Sequence, residues 1–394
     1  MEVYVLDSLL RRSEVIDRFE SLIWTERWAS WGDFELAIRS TYGSRGLLRK
    51  GTQLAMNQSD RVMTVETIED GTDSEGKSIL KVKGRSIESI FEDRGAKASH
   101  SDLTTEPTWD ITNTPAAIMR KIVHDICVTG VLSVYDKIPF IVEARQPSLP
   151  ADTILEPPDP IMVKLEPQTV YKAITNVANT WELGFRLLRN GDAAQLYFDV
   201  YAGSDRTSSQ TTRPPVIFAP ELDNLTDTTE LISIEGAKNV AYVYSKNGFQ
   251  EVIPAAVPID TDGFERRILI VNANDIELEA GSELDSALIQ RGKEALAEHR
   301  EIQALDGEIR QNSQYKYNVD YYLGDLVEMR NVDGIANQMR VTEQIFVSDK
   351  EGERTYPTLA INQFVSTGSW LSFAPGLSWI DYDADTTTVW ATLP

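Results

Sequence analysis

The chain has 394 residues, 42% of them hydrophobic and 25% charged, and its 61 acidic against 38 basic side chains leave a net charge of −23. That balance argues against a nucleic-acid-binding surface, because phosphate contacts are made by Lys and Arg, and no apolar run reaches the roughly 20 residues of a membrane span. A single Cys127 permits no internal disulfide, as expected of synthesis in a reducing cytosol.

In chain order, Met1-Glu-Val-Tyr-Val-Leu-Asp7 lacks a basic region followed by an apolar core, so no secretory signal is expected, and Glu2–Leu6 begins a strand. Leu22–Trp28 and Phe34–Ile38 flank a turn at Ser30-Trp-Gly-Asp33. Glu20, Glu26, Asp33 and Glu35 gather near Trp24, Trp28 and Trp31, a superficial sugar-binding pattern; the alternation favours half-buried strands with a polar outer face. GTDSEGKS at 71–78 fits the phosphate-loop pattern G-x-x-x-x-G-K-S. Such a loop must open a helix, whereas Ser78-Ile-Leu-Lys-Val-Lys-Gly84 alternates apolar and basic residues as a strand, so a β-hairpin over 61–84 is predicted. Ser86–Arg94 reads as a short helix.

Beyond residue 100 the texture changes. Thr114-Pro-Ala-Ala-Ile-Met-Arg-Lys-Ile-Val-His-Asp-Ile126 is a predicted helix with Thr114 as N-cap and Ile118, Ile122 and Ile126 on one stripe. Five prolines in 147–160 predict an extended connection. A second helix is expected over about 169–179, then a hairpin with Phe185 and Leu187 facing Leu196, Phe198 and Val200 around Asn190-Gly191. Val240–Tyr244 and Glu251–Val257 form another hairpin, and Arg267–Val271 a further strand. A long helix is predicted from about Leu284 to Ile309, capped by Ser282 with Asp285 three residues on. Tyr315, Tyr317, Val319, Tyr321 and Leu323 follow at period two, as do Met339, Val341, Ile345 and Val347, and Leu359 and Ile361 close the set. The tail 367–394 carries Trp370, Trp379 and Trp390 and has no Lys or Arg.

The predicted fold class is therefore α+β, mostly β: two small β-barrels, over 1–100 and 226–366, with a mixed α/β domain over 101–225 between or outside them. The second barrel holds the inserted helix at about 284–309, and 367–394 is a Trp-containing extension. Chemistry is sparse. His100, His124 and His299 stand in no metal-ligand spacing, and neither a G-x-S-x-G elbow nor a strand-linked G-x-G-x-x-G occurs. Carboxylate pairs for glycoside hydrolysis are open on sequence, since only their spacing in space would identify them. No catalytic residue, cofactor or metal is assigned.

Several stretches together resemble the tail-tip or baseplate hub (minor tail protein) family of long-tailed bacteriophages, especially those of siphophages infecting actinobacteria. They are WTERWASWGDFELAI (24–38), VKGRSIESIFEDR (82–94), LGFRLLRNGDAAQLYFDVYAGSDRT (183–207), VIFAPELDNL (216–225), YNVDYYLGDLVEMRN (317–331) and RVTEQIFVSD (340–349). The resemblance implies a homotrimer in which each subunit gives two related barrels to a pseudo-sixfold tube. It also implies contacts with a distal tail protein ring, the tape measure protein and other minor tail or fibre proteins, a place at the virion tail tip after synthesis in the host cytoplasm, and no stable membrane insertion. DNA would pass through the lumen without specific binding, and acids of the two barrels, some of the candidates Asp325, Glu328 and Asp333 among them, are expected to face the channel. Trp370, Trp379 and Trp390, outside the resemblance, are candidate inter-subunit aromatics. The alternatives are a receptor-binding minor tail protein that recognises host cell-wall sugars and a tail-associated wall hydrolase.

Overall fold

The computed structural model describes residues 1–72, 76–142, 160–254, 257, 261–276, 278–299, 301–309, 315–330 and 336–361. Its largest sheet has 13 strands and begins at the front of the chain. Strand Ser21–Arg27 pairs antiparallel with Asp33–Arg39, which pairs with Ser78–Ser86, then Val62–Thr72, Gln53–Met56, Val3–Leu6 and Arg12–Ile16 at one edge. On its other side Ser21–Arg27 pairs with Ala336–Asp349, followed by Gly352–Ile361, Ile302–Ile309 and Leu225–Ser233 at the opposite edge. Front and back strands thus belong to one continuous open sheet. The architecture is mostly β with several sheets, and among the described residues none closes into a barrel, where two separate barrels were expected.

The 71–78 pattern lies in the predicted hairpin: Val62–Thr72 and Ser78–Ser86 pair antiparallel down to Thr72↔Ser78, and Asp73–Glu75 fall outside the described residues. The lysine is followed by a strand, so no helix N-terminus is present to receive a phosphate. The short helix at 86–94 is a 3-10 turn over Ile87–Asp93. Helix α1 covers Tyr42–Leu47, capped by the Thr41 side chain.

Helix α2 (Pro115–Val123) continues as a π turn over His124–Thr129 and ends at Gly130 with φ +70°. Pro115 occupies its first turn, but the Thr114 side chain makes no cap hydrogen bond. Helix α3 (Val170–Thr180) is capped by Thr169 through the amide of Lys172. These helices pack on the hairpin Gly184–Asn190 and Gln195–Tyr201, burying Ile118, Ile122, Ile174, Phe185 and Phe198. The proline-rich stretch falls within the undescribed 143–159, save Pro160.

Helix α4 (Ser282–Ala297) packs Leu284, Leu288 and Leu296 on a three-stranded sheet of Val240–Tyr244, Phe249–Val252 and Ile268–Asn272. Gly281, not Ser282, is its cap residue and supplies no side-chain bond. The helix stops far short of Ile309. Ile302, Leu305 and Ile309, spaced by three and four, read as helical; the backbone at Ile302–Ile309 is instead a strand between Leu225–Ser233 and Gly352–Ile361. Gly307, which costs a helix interior about 1 kcal/mol, fits that outcome.

Two period-two readings are corrected by local geometry. Residues 315–323 form no continuous strand: Lys316 N–H donates to Asp320 Oδ2 at 2.7 Å, Asn318 has φ +63°, and Val319 is 65% exposed between buried Tyr315 and Tyr321. In Ala336–Asp349 the register shifts between Val341 and Glu343, a β-bulge. Met339 and Val341 are buried before it, Gln344 and Phe346 after it, so Ile345 and Val347 turn to the other face.

Gly84 lies where two strands approach closely: a Cβ there would sit 1.8 Å from the Thr64 carbonyl oxygen and 3.0 Å from Phe34 Cε1. Gly84→Ala is expected to cost about 1–3 kcal/mol through overpacking, read as a lower urea midpoint with an unchanged m-value; a midpoint equal to that of the parent protein would contradict this packing.

Candidate functional site

The chemistry-bearing side chains of this chain converge inside the protomer, where the front sheet, the α2–α3 layer and the back strands meet. Leu22, Trp24 and Glu26 share the inward phase of strand Ser21–Arg27, Trp28 follows just beyond its end, and all four are buried. A carboxylate at an inward position needs partners. Tyr317 Oη donates to Glu26 Oε2 at 2.8 Å, from the turn before strand Leu326–Arg330. Arg61, at the start of strand Val62–Thr72, is also buried and donates from Nη1 to Glu88 Oε1 at 2.5 Å and from Nη2 to the Arg27 carbonyl at 3.1 Å. Glu88, fully buried on the 3-10 turn, accepts at the same oxygen from the Leu187 amide at 2.8 Å. One ion pair therefore joins the front sheet to the hairpin that carries the helices.

Two further pairs extend the junction. Asp199 and Arg186 lie opposite each other across the hairpin at 2.9 Å, with Arg186 stacked over Tyr201 at 4.2 Å. Arg340 donates to Glu182 Oε2 at 2.9 Å and to the carbonyls of Gly324 at 2.7 Å and Ala202 at 3.0 Å, and its guanidinium lies 4.5 Å from the Trp28 ring centre. Gly184 lets that indole in: a Cβ there would come within 2.1 Å of Trp28 Nε1. Trp28 thus touches the middle layer on one side and the back strands on the other.

Burial sets the electrostatics. It pushes the Glu26 carboxyl above the ordinary range, only partly opposed by Arg61 and by the hydroxyls of Ser59 and Tyr317. Burial likewise raises the Tyr201 and Tyr317 phenols. It would lower the Arg61 guanidinium more than any single neighbour raises it, but Glu88, Tyr201, Glu26 and Tyr317 together outweigh it and the net direction is up. For Arg340 burial prevails over Glu182 and the direction is down.

Of the three acids expected to face a channel, Asp325 and Glu328 are among the described residues. Asp325 is 2% exposed and accepts from Arg206 Nε at 2.8 Å and from the amides of Ser204 and Tyr322 at 2.8 and 3.0 Å. Its carboxyl is raised by burial, against those bonds. Glu328 is 5% exposed and bound by Ser208 and Arg330, which hold it below the usual range despite burial. Both acids tie strand Leu326–Arg330 to the 204–208 loop of their own protomer. Asp333, Trp370, Trp379 and Trp390 lie outside the described residues.

The tryptophans of the front section do not form an open platform, since Trp24 and Trp28 are buried and Trp31 rests on Tyr171 with ring centres 4.0 Å apart. His100 and His299 meet backbone carbonyls of Leu132 and Ala295, and His124 meets its neighbour Asp125. Among the described residues no group of His, Cys, Asp or Glu is placed to hold a metal ion. A polar cleft of 170 Å³ lies between α3, strand Ile161–Leu165 and α4, lined by Lys172, Glu294 and Glu298 among others. The junction is suited to holding three parts of a protomer in fixed relation.

Sequence reasoning placed Glu26 on a polar outer face and passed over Arg61, Glu88 and Arg340. The available signal was phase for Glu26, whose i±2 neighbours are Trp24 and Trp28, and for Arg340, flanked by Met339 and Val341; Arg61 and Glu88 have an apolar neighbour on one side only.

The profile of the family described as Siphovirus ReqiPepy6 Gp37-like protein matches residues 2–359. A sequence comparison with curated proteins finds no match. In fold the chain is similar to the tail protein from Neisseria meningitidis MC58, with a TM-score of 0.56 and 14% identity over 91% of this chain and 96% of that one. It is also similar to the 43 kDa tail protein of prophage MuSo2 from Shewanella oneidensis, at 0.52 and 12% over 91% and 97%. A third similar structure is the prophage tail protein gp18 from Listeria monocytogenes EGD-e, at 0.50 and 14% over 93% and 96%.

Removing one member of the Arg61–Glu88 pair leaves a buried charge uncompensated. Glu88→Leu or Arg61→Met alone is expected to cost roughly 3–5 kcal/mol, and the double change Arg61→Met with Glu88→Leu to recover most of it. Urea unfolding of the two single variants and the double variant checks this, and simple additivity of the two losses would contradict it.

Proposed function

The chain belongs to the Siphovirus ReqiPepy6 Gp37-like family, and from that premise we propose that it is a structural, non-enzymatic component of a phage tail, the hub at the tail tip. The observation that carries the reading is fold similarity to three tail proteins over at least nine-tenths of each chain. In this reading three copies surround a hollow axis. Residues 1–100 and 226–366 supply the two tube halves, each completed as barrel wall by its neighbours, and 101–225 lies outside. The strand that pairs with both front and back segments gives a physical reason for the tube halves to keep a fixed relation within each subunit.

The hub would seat the distal tail ring and the tape measure end and anchor adhesion proteins, in the virion of a siphophage of actinobacteria. DNA would traverse it without specific binding. A chain of net charge −23 suits that passage, since cationic contacts to phosphate would retard it. Asp325 and Glu328 hold their own protomer together, which leaves the lumen charge to exposed acids and to Asp333. Trp370, Trp379 and Trp390 are proposed to pack on an adjoining subunit.

Imaging of the tail tip in intact virions should show this chain as a threefold ring; a single copy, or a symmetry without a threefold axis, would overturn the proposal. Ring formation brings strongly acidic copies together, so salt should promote it. Sedimentation should show more trimer at about 0.15 M than at about 0.01 M ionic strength, as the Debye length shrinks from roughly 30 to 8 Å. A trimer fraction that falls with salt would contradict the role of self-repulsion.

A further inference from the structure

Glu26 and Glu88 share a single guanidinium. Arg61 Nη1 lies 2.5 Å from Glu88 Oε1 and its Nη2 is spent on the Arg27 carbonyl, while Glu26 Oε1 is buried without a hydrogen-bond partner. Every element packed on Glu26 contributes to its surroundings. The 59–61 segment brings Ser59, Asp60 and Arg61, and the 315–323 turn brings Tyr317. The hairpin brings Tyr201, and strand Ala336–Asp349 brings fully buried Gln344, its register partner, which accepts from Tyr321. Asp199 and Arg186 neutralise each other alongside. With both glutamates ionised, Arg61 balances only one of them, and the remaining charge has no solvent and, among these neighbours, no cation except Arg186, already paired with Asp199.

We propose that Glu26 is held as the neutral acid in the folded protein. Its ionisation then loosens the joint between strand Ser21–Arg27 and the turn that carries Tyr317. The device is a pH-dependent release built into the protomer, independent of how many copies assemble. In the neutral state the carboxyl and the Tyr317 hydroxyl share a hydrogen bond at no cost in charge. In the ionised state Oε1 carries buried negative charge without a donor, which the fold relieves by opening to water at this joint. The direction of the Glu26 shift agrees, with burial as its main cause.

The sign follows from proton binding. The folded protein keeps a proton that the unfolded chain releases near the ordinary value of 4.5. Stability therefore falls as pH rises through that value and levels off once the folded carboxyl has also ionised. Glu26→Gln preserves the neutral shape and removes the titration. Between about pH 5 and about pH 8, the ratio of the wild-type to the variant unfolding constant should climb by up to about tenfold per pH unit until it levels. A ratio that is constant across this range would overturn the proposal.

Infrared spectra of the wild-type protein with isotope-labelled glutamate give a readout that does not depend on that variant folding. A carboxylic-acid carbonyl band should persist at neutral pH and fade as pH rises, with hydrogen exchange of the 317–323 amides accelerating over the same range. Tyr317→Phe removes the donor to Oε2 and should move both changes to higher pH. Absence of the acid band at neutral pH, or a band whose titration Tyr317→Phe leaves in place, would contradict the assignment to Glu26.

Discussion

The arrangement turns on one extra residue in one strand. Ala336–Asp349 pairs through its first five residues with Leu326–Arg330 and through 343–348 with Ser21–Arg27, and the register shift between Val341 and Glu343 separates the two ladders. A bulge bends a strand and exchanges its faces. Here it directs Met339 and Val341 into the core with Tyr321 and Phe218, and Phe346 into the core with Trp24 and Phe34. The Trp28 amide donates to the Thr342 carbonyl at 2.9 Å, satisfying backbone at the step itself. Front and back halves of the chain are joined there by main-chain hydrogen bonds.

Around that step the protein buries charge. Arg61–Glu88, Arg186–Asp199, Arg206–Asp325 and Arg340–Glu182 are all ion pairs with at least one member almost fully buried. Desolvating two ions consumes most of what their attraction returns, so such pairs add little net stability over apolar residues of similar volume. What they impose is selectivity, because each buried charge tolerates only the arrangement that brings its partner. Three of the four link segments more than twenty residues apart in the chain. They penalise any packing in which the front sheet, the hairpin and the back strands meet in another register. For a component whose proposed work is to hold other proteins in fixed geometry, that trade is a sound one.

Elements with strong local signals were legible in the sequence. The hairpins at 62–86 and 184–201 and helices α2 and α3 follow from alternation, turn residues and 3.6-residue stripes. The phosphate-loop pattern was correctly set aside because the residues after Lys77 alternate. The failures share a cause in tertiary context. Ile302, Leu305 and Ile309 carry helical spacing, yet two flanking strands claim that backbone. The tyrosines at 315–323 alternate, yet a turn at Asn318 brings Tyr317 and Tyr321 together instead. A bulge leaves no mark in a hydrophobic pattern except a change of phase, which Gln344 masks by being polar and fully buried. The buried junction was invisible for a related reason: a charged residue in sequence reads as surface until its partners, up to 291 residues away, are known.

The central claim is that the bulged strand and the ion pairs around it make the front sheet, the α2–α3 layer and the back strands one cooperative body. Native-state hydrogen exchange on the full chain tests this most directly. Amides in Ser21–Arg27, Gly184–Asn190 and 339–349 should open together, with a common free energy and a common denaturant dependence. Separate opening energies for the front and back strands, with one set exchanging while the other stays protected, would contradict it.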